Sequence, residues 1–247
     1  NRPRFVFKTM IFIRSFIFNS GFFAGTLVLM VFFLPALVLG RFALPWCGRA
    51  WAFMMRRWLV LVIGARVEIR GEIPSGPCLI AAKHESAWET IEFFGLLPDT
   101  CFVLKRELTW IPLLGWYIAR NRQIVIDRSS GAGALKRMLA EAKIALAADR
   151  QIVVFPQGTR VDPDTERPYQ PGIASLYKHL GVRVIPVALN SGLVWGRNKF
   201  VKLPGTIVLE FLAPMPGNLD SRVFIAELST RIEKGSRKLA EEGRQRA

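Results

Sequence analysis

The stretch CLIAAKHESAWETIEFF (residues 78–94) decides the fold class. Its first five residues are apolar or small, which is typical of a short buried strand, and the polar segment KHES ends that strand. The residues that follow predict a helix over 86–94. Seven strands and five helices of this kind alternate along the chain. The strands begin near residues 66, 78, 101, 124, 152, 182 and 207, and the helices near residues 86, 111, 132, 171 and 220. We therefore predict an α/β domain with a mixed, mostly parallel sheet flanked by helices.

The polar segment contains a histidine, and a carboxylate follows five positions later: His84 and Glu89. On a regular helix, residues at this spacing point about 140° apart around the axis, so their side chains would not meet. They can meet if His84 lies in the loop before the helix and Glu89 looks back from its first turn. An imidazole oriented by a carboxylate can act as a general base towards a hydroxyl group. For this pair alone, a loop histidine and an unrelated, solvated carboxylate are the alternative.

The start of the chain is apolar, with no charged residue between Ser15 and Gly40. Residues 20–40 are long enough for a helix to cross a hydrocarbon core, and Pro35 predicts a kink or an end of that helix. A second apolar stretch, residues 51–64, contains two arginines and suits an interface better than the bilayer centre. We predict that residues 1–64 form a retained membrane anchor, either a helical hairpin in one leaflet or one spanning helix. Residues 65–247 would form the α/β domain.

Basic residues flank the apolar run in equal number on its two sides, so they do not set its orientation. They are Arg2, Arg4, Lys8 and Arg14 before the run, and Arg41, Arg49, Arg56 and Arg57 after it. The formal net charge of +15 indicates a negatively charged partner. Nucleic acid is disfavoured, because there is no zinc-finger spacing, RNP-like aromatic strand or long basic helix. Anionic membrane lipids explain the charge and the apolar start together.

The cysteines, Cys47, Cys78 and Cys101, are odd in number and far apart. They predict neither a disulfide framework nor a zinc site. Such cysteines are typical of small buried residues in a reducing compartment, which places the α/β domain in the cytoplasm. We expect no metal and no bound cofactor.

Three further segments extend the pattern that KHESAWE begins: LKRELTWIPLLG (104–115), VFPQGTR (154–160) and VIPVALNSG (184–192). This ordered set resembles the glycerolipid acyltransferase family, and within it the bacterial 1-acyl-glycerol-3-phosphate acyltransferases. Four motifs in order are far more specific than any one of them. The resemblance covers residues 67–190, and the apolar start is similar to the membrane-anchoring helices of that family.

The resemblance implies that His84 is the general base and that Glu89 orients it. Glu89 stands where the family usually has aspartate, and it adds one methylene to the reach of the acid. Gln157 stands where the family usually has glutamate, and it keeps hydrogen bonding but loses the charge. With Glu89, a carboxylate is still available to hold the imidazole in the productive tautomer.

The second and third motifs are similar to the segments that hold the acceptor phosphate in the family. Gly158 would permit close approach of the backbone, and Arg160 could form two parallel hydrogen bonds to phosphate. The residues expected to bind phosphate are Lys105, Arg106, Gly158, Thr159 and Arg160. The other motif residues are Glu107, Pro156, Gln157 and Pro186. The fourth motif, centred on Pro186, is expected to form a wall for an acyl chain or a sheet edge.

The resemblance implies transfer of a fatty acyl group to the free sn-2 hydroxyl of 1-acyl-glycerol-3-phosphate (lysophosphatidic acid), which gives phosphatidic acid. The donor would be acyl-carrier protein or acyl-CoA, and the site would lie on the cytoplasmic face of the inner membrane. Another acceptor remains open: a lyso-aminolipid, dihydroxyacetone phosphate or a lysophospholipid with a larger headgroup. A non-catalytic protein that binds anionic lipid is the alternative from a different class. A serine hydrolase is disfavoured, because the chain has no GxSxG motif.

Overall fold

The computed structural model describes the backbone of residues 2–127 and 131–246 and, apart from residues 2–6 and 132, their side chains. The apolar start forms three helices: α1 (Arg2–Phe32), the single turn α2 (Ala36–Leu39) and α3 (Leu44–Trp58), which a π-helical segment (Leu59–Ile63) extends. The break after α1 falls at Pro35, as predicted, because proline cannot continue the hydrogen-bond ladder. The side chains of Arg2 and Arg4, counted among the flanking charges, lie outside the described ones.

Helix α1 is apolar along most of its length and is packed on one side only. Its segment Phe7–Phe32 has a mean hydropathy of 1.8 with 11% of the most apolar stretch buried, and by length and composition it can cross a membrane. Its packed side contacts α3, where the Trp58 indole N–H donates to the Phe18 carbonyl oxygen (3.1 Å). A Cβ at Gly21 would lie 2.4 Å from the Trp58 ring, so glycine permits this close approach. The first two long helices therefore form a hairpin.

Seven strands form one sheet, in the order β1-β7-β6-β2-β5-β3-β4. They are β1 (Ala65–Arg70), β2 (Cys78–Ala82), β3 (Thr100–Lys105), β4 (Ile124–Ile126), β5 (Gln151–Val154), β6 (Val184–Leu189) and β7 (Gly205–Phe211). Every neighbouring pair is parallel except β6 and β7, which are antiparallel. The predicted mixed, mostly parallel sheet is confirmed, and each predicted strand begins within two residues of the observed one.

Helices cover both faces of the sheet. Beyond the N-terminal hairpin they are α4 (Trp88–Leu96), α5 (Leu114–Arg120), α6 (Gly131–Ala147), α7 (Gly172–Leu180) and α8 (Ser221–Gln245). Alternate residues of β2 point to opposite faces: Ile80 packs with the core that includes α3 and α4, and Leu79 with the core that includes α6, α7 and α8. All five residues of β2 are buried, as expected for a parallel strand covered on both sides.

Two helices begin at least two residues later than the sequence pattern predicts. Helix α4 begins at Trp88 rather than at residue 86, because the Ser86 hydroxyl accepts the Trp88 N–H (2.8 Å) and ends the preceding loop. Helix α5 begins at Leu114 rather than at residue 111, because a short 3₁₀ helix (Arg106–Trp110) and Pro112 precede it.

Candidate active site

The segments that carry the sequence motifs meet at one edge of the sheet. Strands β6, β2, β5 and β3 are neighbours in this order and run parallel, so their carboxyl ends lie at the same edge. At or just after these ends come Ser191, His84, Gly158 and Lys105, respectively. Parallel α/β sheets usually bind ligands at this edge. The candidate active site lies there.

His84 and Glu89 are in contact in the arrangement that the sequence analysis required. His84 lies in the loop before α4, Glu89 lies in the first turn of α4, and Nδ1 of His84 is 2.8 Å from Oε1 of Glu89. An ionised carboxylate can only accept hydrogen bonds, so in the neutral imidazole this contact places the proton on Nδ1 and leaves the lone pair on Nε2. The pair can therefore remove a proton from a group that reaches Nε2.

Three further donors hold the Glu89 carboxylate, which is fully buried. The backbone N–H groups of Glu85 and Ser86 donate to Oε1 (both 2.7 Å), and the Ser191 hydroxyl donates to Oε2 (2.8 Å). Backbone N–H groups at a helix start favour a negative charge there. The residue that orients His84 is thus itself held by the loop before α4 and by the loop after β6.

Phe155 fixes the plane of the His84 ring. The two rings stack with their centroids 3.9 Å apart and an interplanar angle of 14°. The backbone of His84 is held at both ends: its N–H donates to Oε1 of Gln157 (2.9 Å), and its carbonyl oxygen accepts the Val161 N–H (2.8 Å). His84 therefore has little freedom in either its ring or its backbone.

The third motif forms a tight turn after β5. Gly158 has φ = +70°, a conformation that glycine adopts without strain. The Pro156 carbonyl oxygen accepts the Gln170 N–H (2.8 Å), which ties the turn to the segment before α7. Gln157 is buried, and its side-chain Nε2 donates to Glu233 on α8 (3.0 Å). Gln157 thus supports the His84 loop from behind.

A cavity of about 560 Å³ lies in front of His84. Apolar side chains from the N-terminal hairpin and from α4 line much of it, among them Leu29, Met30, Trp51 and Phe94. His84 itself is part of the lining, so Nε2 is the ring nitrogen available to a substrate there. The N-terminal helices therefore do more than precede the α/β domain, because they supply one wall of its cavity.

The residues expected to bind phosphate divide into two groups. Lys105, Gly158, Thr159 and Arg160 line the same cavity as His84. Arg106 lies on the surface instead, where it pairs with Asp127. Two cationic side chains and the tight turn at Gly158 thus share the cavity with the histidine, which suits an anionic, amphiphilic ligand.

The other motif residues lie away from the cavity lining. Glu107 is exposed on the 3₁₀ helix, and Pro186 lies in the middle of β6, opposite Ala81 of β2. Gly115 lets α5 pack closely on the turn before it, because a Cβ there would lie 2.1 Å from the Thr109 carbonyl oxygen. These residues shape the elements that carry the site.

Three groups at the site were not predicted from the sequence: Ser191, Phe155 and Glu233. Ser191 belongs to the fourth motif and Phe155 to the third, so a signal existed for both. Glu233 lies on α8, outside all four motifs. Its neighbour Glu85 is buried as well, and burial raises the pKa of Glu85 to about 8.

Comparison with known proteins identifies the family. The family model described as Acyltransferase matches residues 65–190. The chain belongs to the acyltransferase family. This acyltransferase is 35% identical over 219 residues to the 1-acyl-sn-glycerol-3-phosphate acyltransferase of Pseudomonas aeruginosa, which covers 87% of this chain and 83% of the relative. It is 26% identical over 181 residues to the enzyme of that name from Limnanthes alba, with 70% of this chain and 64% of the relative covered.

A solved structure supports the fold of this acyltransferase. The 1-acyl-sn-glycerophosphate (LPA) acyltransferase PlsC from Thermotoga maritima aligns with a TM-score of 0.67 and 20% sequence identity, covering 96% of this chain and 98% of the other. The match includes the N-terminal helices, because nearly the whole chain is covered. The chain is an enzyme with the acyltransferase fold.

Proposed function

We propose that this acyltransferase transfers a fatty acyl group from acyl-carrier protein or acyl-CoA to the free sn-2 hydroxyl of 1-acyl-glycerol-3-phosphate, giving phosphatidic acid. One observation carries the proposal: a single cavity combines His84 with the cations Lys105 and Arg160 and with long apolar walls. A lysophosphatidate offers matching parts, namely a hydroxyl, a phosphate and an acyl chain. The names of the relatives, 1-acyl-sn-glycerol-3-phosphate acyltransferase in both cases, point to the same acceptor.

The proposed chemistry needs one base and no covalent enzyme intermediate. Nε2 of His84 removes the proton of the acceptor hydroxyl while the oxygen attacks the thioester carbonyl carbon. The tetrahedral intermediate then collapses, the carbon–sulfur bond breaks, and the leaving thiolate takes the proton from the imidazolium. Glu89, 2.8 Å from Nδ1, stabilises the imidazolium between these two steps. Positioned proton transfer of this kind contributes about 10² to 10⁴ in rate.

The acceptor phosphate is assigned to Lys105, Thr159 and Arg160, with the backbone of Gly158 close by. Arg160→Ala should raise the KM for lysophosphatidate and leave the KM for the acyl donor unchanged. Arg197→Ala is a matched control, because Arg197 is an arginine on the surface and outside the cavity lining. A change confined to the donor KM would contradict this assignment.

We place residues 1–64 at the cytoplasmic face of the inner membrane, as a hairpin in one leaflet. The outward aromatic side chains of α1, such as Phe23 (70% exposed) and Phe32 (72%), support contact with lipid. The contacts of Ser15 with Lys202 and of Asn19 with Phe200 tie the middle of α1 to the α/β domain. That docking favours the hairpin over a helix that crosses the bilayer.

Deletion of residues 1–64 should abolish sedimentation with anionic lipid vesicles. Full retention of vesicle binding would show that another surface suffices. Activity is not a suitable readout for this deletion, because the hairpin also forms part of the cavity wall.

Product analysis tests the proposed acceptor. Detergent-solubilised protein is given a palmitoyl thioester and an equimolar mixture of lysophosphatidate, dihydroxyacetone phosphate and lysophosphatidylethanolamine, and the products are identified by mass spectrometry. Phosphatidate as the main product supports the proposal. Preferential acylation of another acceptor would contradict it, and absence of product from every acceptor would favour a lipid-binding role.

A further inference from the structure

A closed cluster of buried polar side chains lies behind the His84 loop. Its centre is Glu233 on α8, which is 6% exposed. Lys83 Nζ lies 2.8 Å from Oε2 of Glu233, while the Tyr169 hydroxyl and Nε2 of Gln157 each donate to Oε1 at 3.0 Å. Burying a carboxylate costs free energy unless donors satisfy it, and here three do so. None of the steps of the proposed acyl transfer uses this cluster.

The cluster contains one cation and two carboxyl groups, with Glu85 as the second. Lys83 Nζ lies 3.6 Å from Oε1 of Glu85, and the Gly192 N–H donates to Oε2 of Glu85 (2.9 Å). Because burial raises the pKa of Glu85 to about 8, this group is largely neutral at pH 7. Lys83 and Glu233 then balance each other in charge, and another negative charge in the cluster would have no partner.

Glu233 determines which end of the Gln157 amide faces His84. An amide group has one end that accepts and one that donates, and a carboxylate can only accept. Glu233 therefore takes the NH₂ end of Gln157, which leaves Oε1 to accept the backbone N–H of His84 at 2.9 Å. If the amide were reversed, its NH₂ group would meet the His84 N–H, and two donors would face each other.

We propose that Glu233 is a positioning residue for acyl transfer, acting on His84 through Gln157. By holding the amide of Gln157 in one orientation, Glu233 fixes the backbone of His84 so that the ring reaches Glu89 and the cavity together. The inference rests on the proposed function, in which His84 is the base. Glu233 itself lies outside the cavity lining and contacts no substrate.

A charge exchange between positions 157 and 233 tests the inference. Gln157→Glu places two carboxylates about 3 Å apart. In Glu233→Gln, the NH₂ group of the new amide must face either the ammonium group of Lys83 or the NH₂ group of Gln157, so that two donors meet. Each single variant should lose kcat by about 10²-fold, the effect of a misplaced catalytic group. The KM for lysophosphatidate should stay within about twofold of wild type, because Lys105 and Arg160 are unchanged.

The double variant Gln157→Glu/Glu233→Gln restores the contacts that join His84, positions 157 and 233 and Lys83, with the roles of 157 and 233 reversed. The Tyr169 hydroxyl, which donates to Oε1 of Glu233, would turn to accept from the new amide. The new carboxylate at position 157 would accept the His84 N–H and the NH₂ group of the new amide at position 233, whose carbonyl oxygen would accept from Lys83. The kcat of the double variant should return to within about fivefold of wild type, whereas independent effects would multiply to about 10⁴-fold. Gln157→Glu/Glu227→Gln is the matched control. It has the same net charge, but Glu227 lies on the surface of α8, paired with Arg231, so no rescue is expected.

A second readout needs no turnover. The chain has two histidines, so ¹⁵N-histidine labelling gives two backbone amide signals, and His84→Ala identifies the one from His84. The His84 signal should move in both single variants and return in the double variant, while the His179 signal stays fixed. If the wild type transfers no acyl group but the His84 signal moves in the single variants and returns in the double variant, the proposed function is refuted while the contact of Glu233 with the His84 loop through Gln157 stands. A folded double variant with a multiplied loss of kcat, or single variants with wild-type kcat and an unmoved His84 signal, would overturn the role of Glu233.

Discussion

Replacement of Glu89 separates the charge of this residue from its shape. In Glu89→Gln, the amide oxygen can still accept from Nδ1 of His84 and from the two backbone N–H groups of residues 85 and 86. The amide NH₂ would face Ser191, whose hydroxyl can turn to accept it. The fold and the cavity should therefore persist, and only the negative charge beside the imidazolium is lost.

The magnitude follows from the distance between the two groups. A hydrogen bond of 2.8 Å between Nδ1 and Oε1 puts the charge centres about 4 Å apart. At an effective dielectric constant of about 20, their attraction is about 4 kcal/mol. A half-developed imidazolium charge in the transition state gives about 2 kcal/mol, and a fully developed one about 4 kcal/mol. At about 1.4 kcal/mol for each factor of ten, kcat should fall between about 30-fold and about 10³-fold.

The assay is the initial rate of thiol release from palmitoyl-CoA at saturating lysophosphatidate, with the KM of each substrate measured separately. Glu227→Gln makes the same chemical change on the exposed surface of α8 and should leave kcat unchanged. A kcat for Glu89→Gln within about threefold of wild type would refute the reasoning. So would a raised KM for lysophosphatidate at constant kcat, because that pattern indicates loss of ground-state binding.

Glu89→Asp keeps the negative charge and tests the length of the side chain. The side chain becomes shorter by one carbon–carbon bond, about 1.5 Å. In the wild type, the Glu89 carboxylate contacts Nδ1 of His84 through one oxygen and the Ser191 hydroxyl through the other, at 2.8 Å each. A shortened acid cannot hold both without movement of the backbone, so kcat should fall here as well. Wild-type kcat in this variant would show that the loop adapts.

Three further predictions concern other parts of the molecule. Ser191→Ala removes one of the four hydrogen bonds to Glu89 and should lower kcat about tenfold without a change in either KM, which steady-state kinetics would check; an unchanged kcat would contradict it. Burial raises the pKa of Glu85 from the ordinary value of 4.5 to about 8. The contribution of protonated Glu85 to the free energy of unfolding is therefore complete below pH 4.5 and is lost as the pH rises towards 8, at about 1.4 kcal/mol per pH unit. Glu85→Gln cannot ionise, and its free energy of unfolding in denaturant titrations should therefore fall less than that of wild type between pH 5.5 and 7.5; parallel curves would contradict this. Leu29→Trp narrows the cavity wall and should lower kcat/KM for a palmitoyl donor about tenfold relative to a decanoyl donor, whereas the same change at the exposed Leu27 should not; an equal ratio in both variants would contradict this.

The positions of the strands along the chain and the main contact of the site follow from local sequence patterns. Short apolar runs bounded by polar segments predicted all seven strands. The contact between His84 and Glu89 was predictable as well, because the polar segment KHES leaves His84 outside the helix while Glu89 lies in its first turn. Both features depend on residues that are close together in the chain.

The remaining parts of the site depend on contacts between distant segments. Ser191 meets Glu89 across 102 positions, and Glu233 meets Lys83 across 150 positions. A periodic pattern shows which face of a helix is buried but not which neighbour covers it. For the same reason, the N-terminal stretch predicted an anchor, whereas its contribution to the cavity wall through Leu29 and Met30 depends on how the hairpin docks.

The most direct test of the central claim is thiol release from palmitoyl-CoA by detergent-solubilised protein, measured with and without lysophosphatidate, for wild type and for His84→Ala. His179→Ala is the matched control, because His179 is exposed at the end of α7. We predict release that depends on lysophosphatidate, falls at least about 10²-fold in His84→Ala and is unchanged in His179→Ala. Release at the wild-type rate by His84→Ala, or release that is independent of an acceptor, would contradict the account.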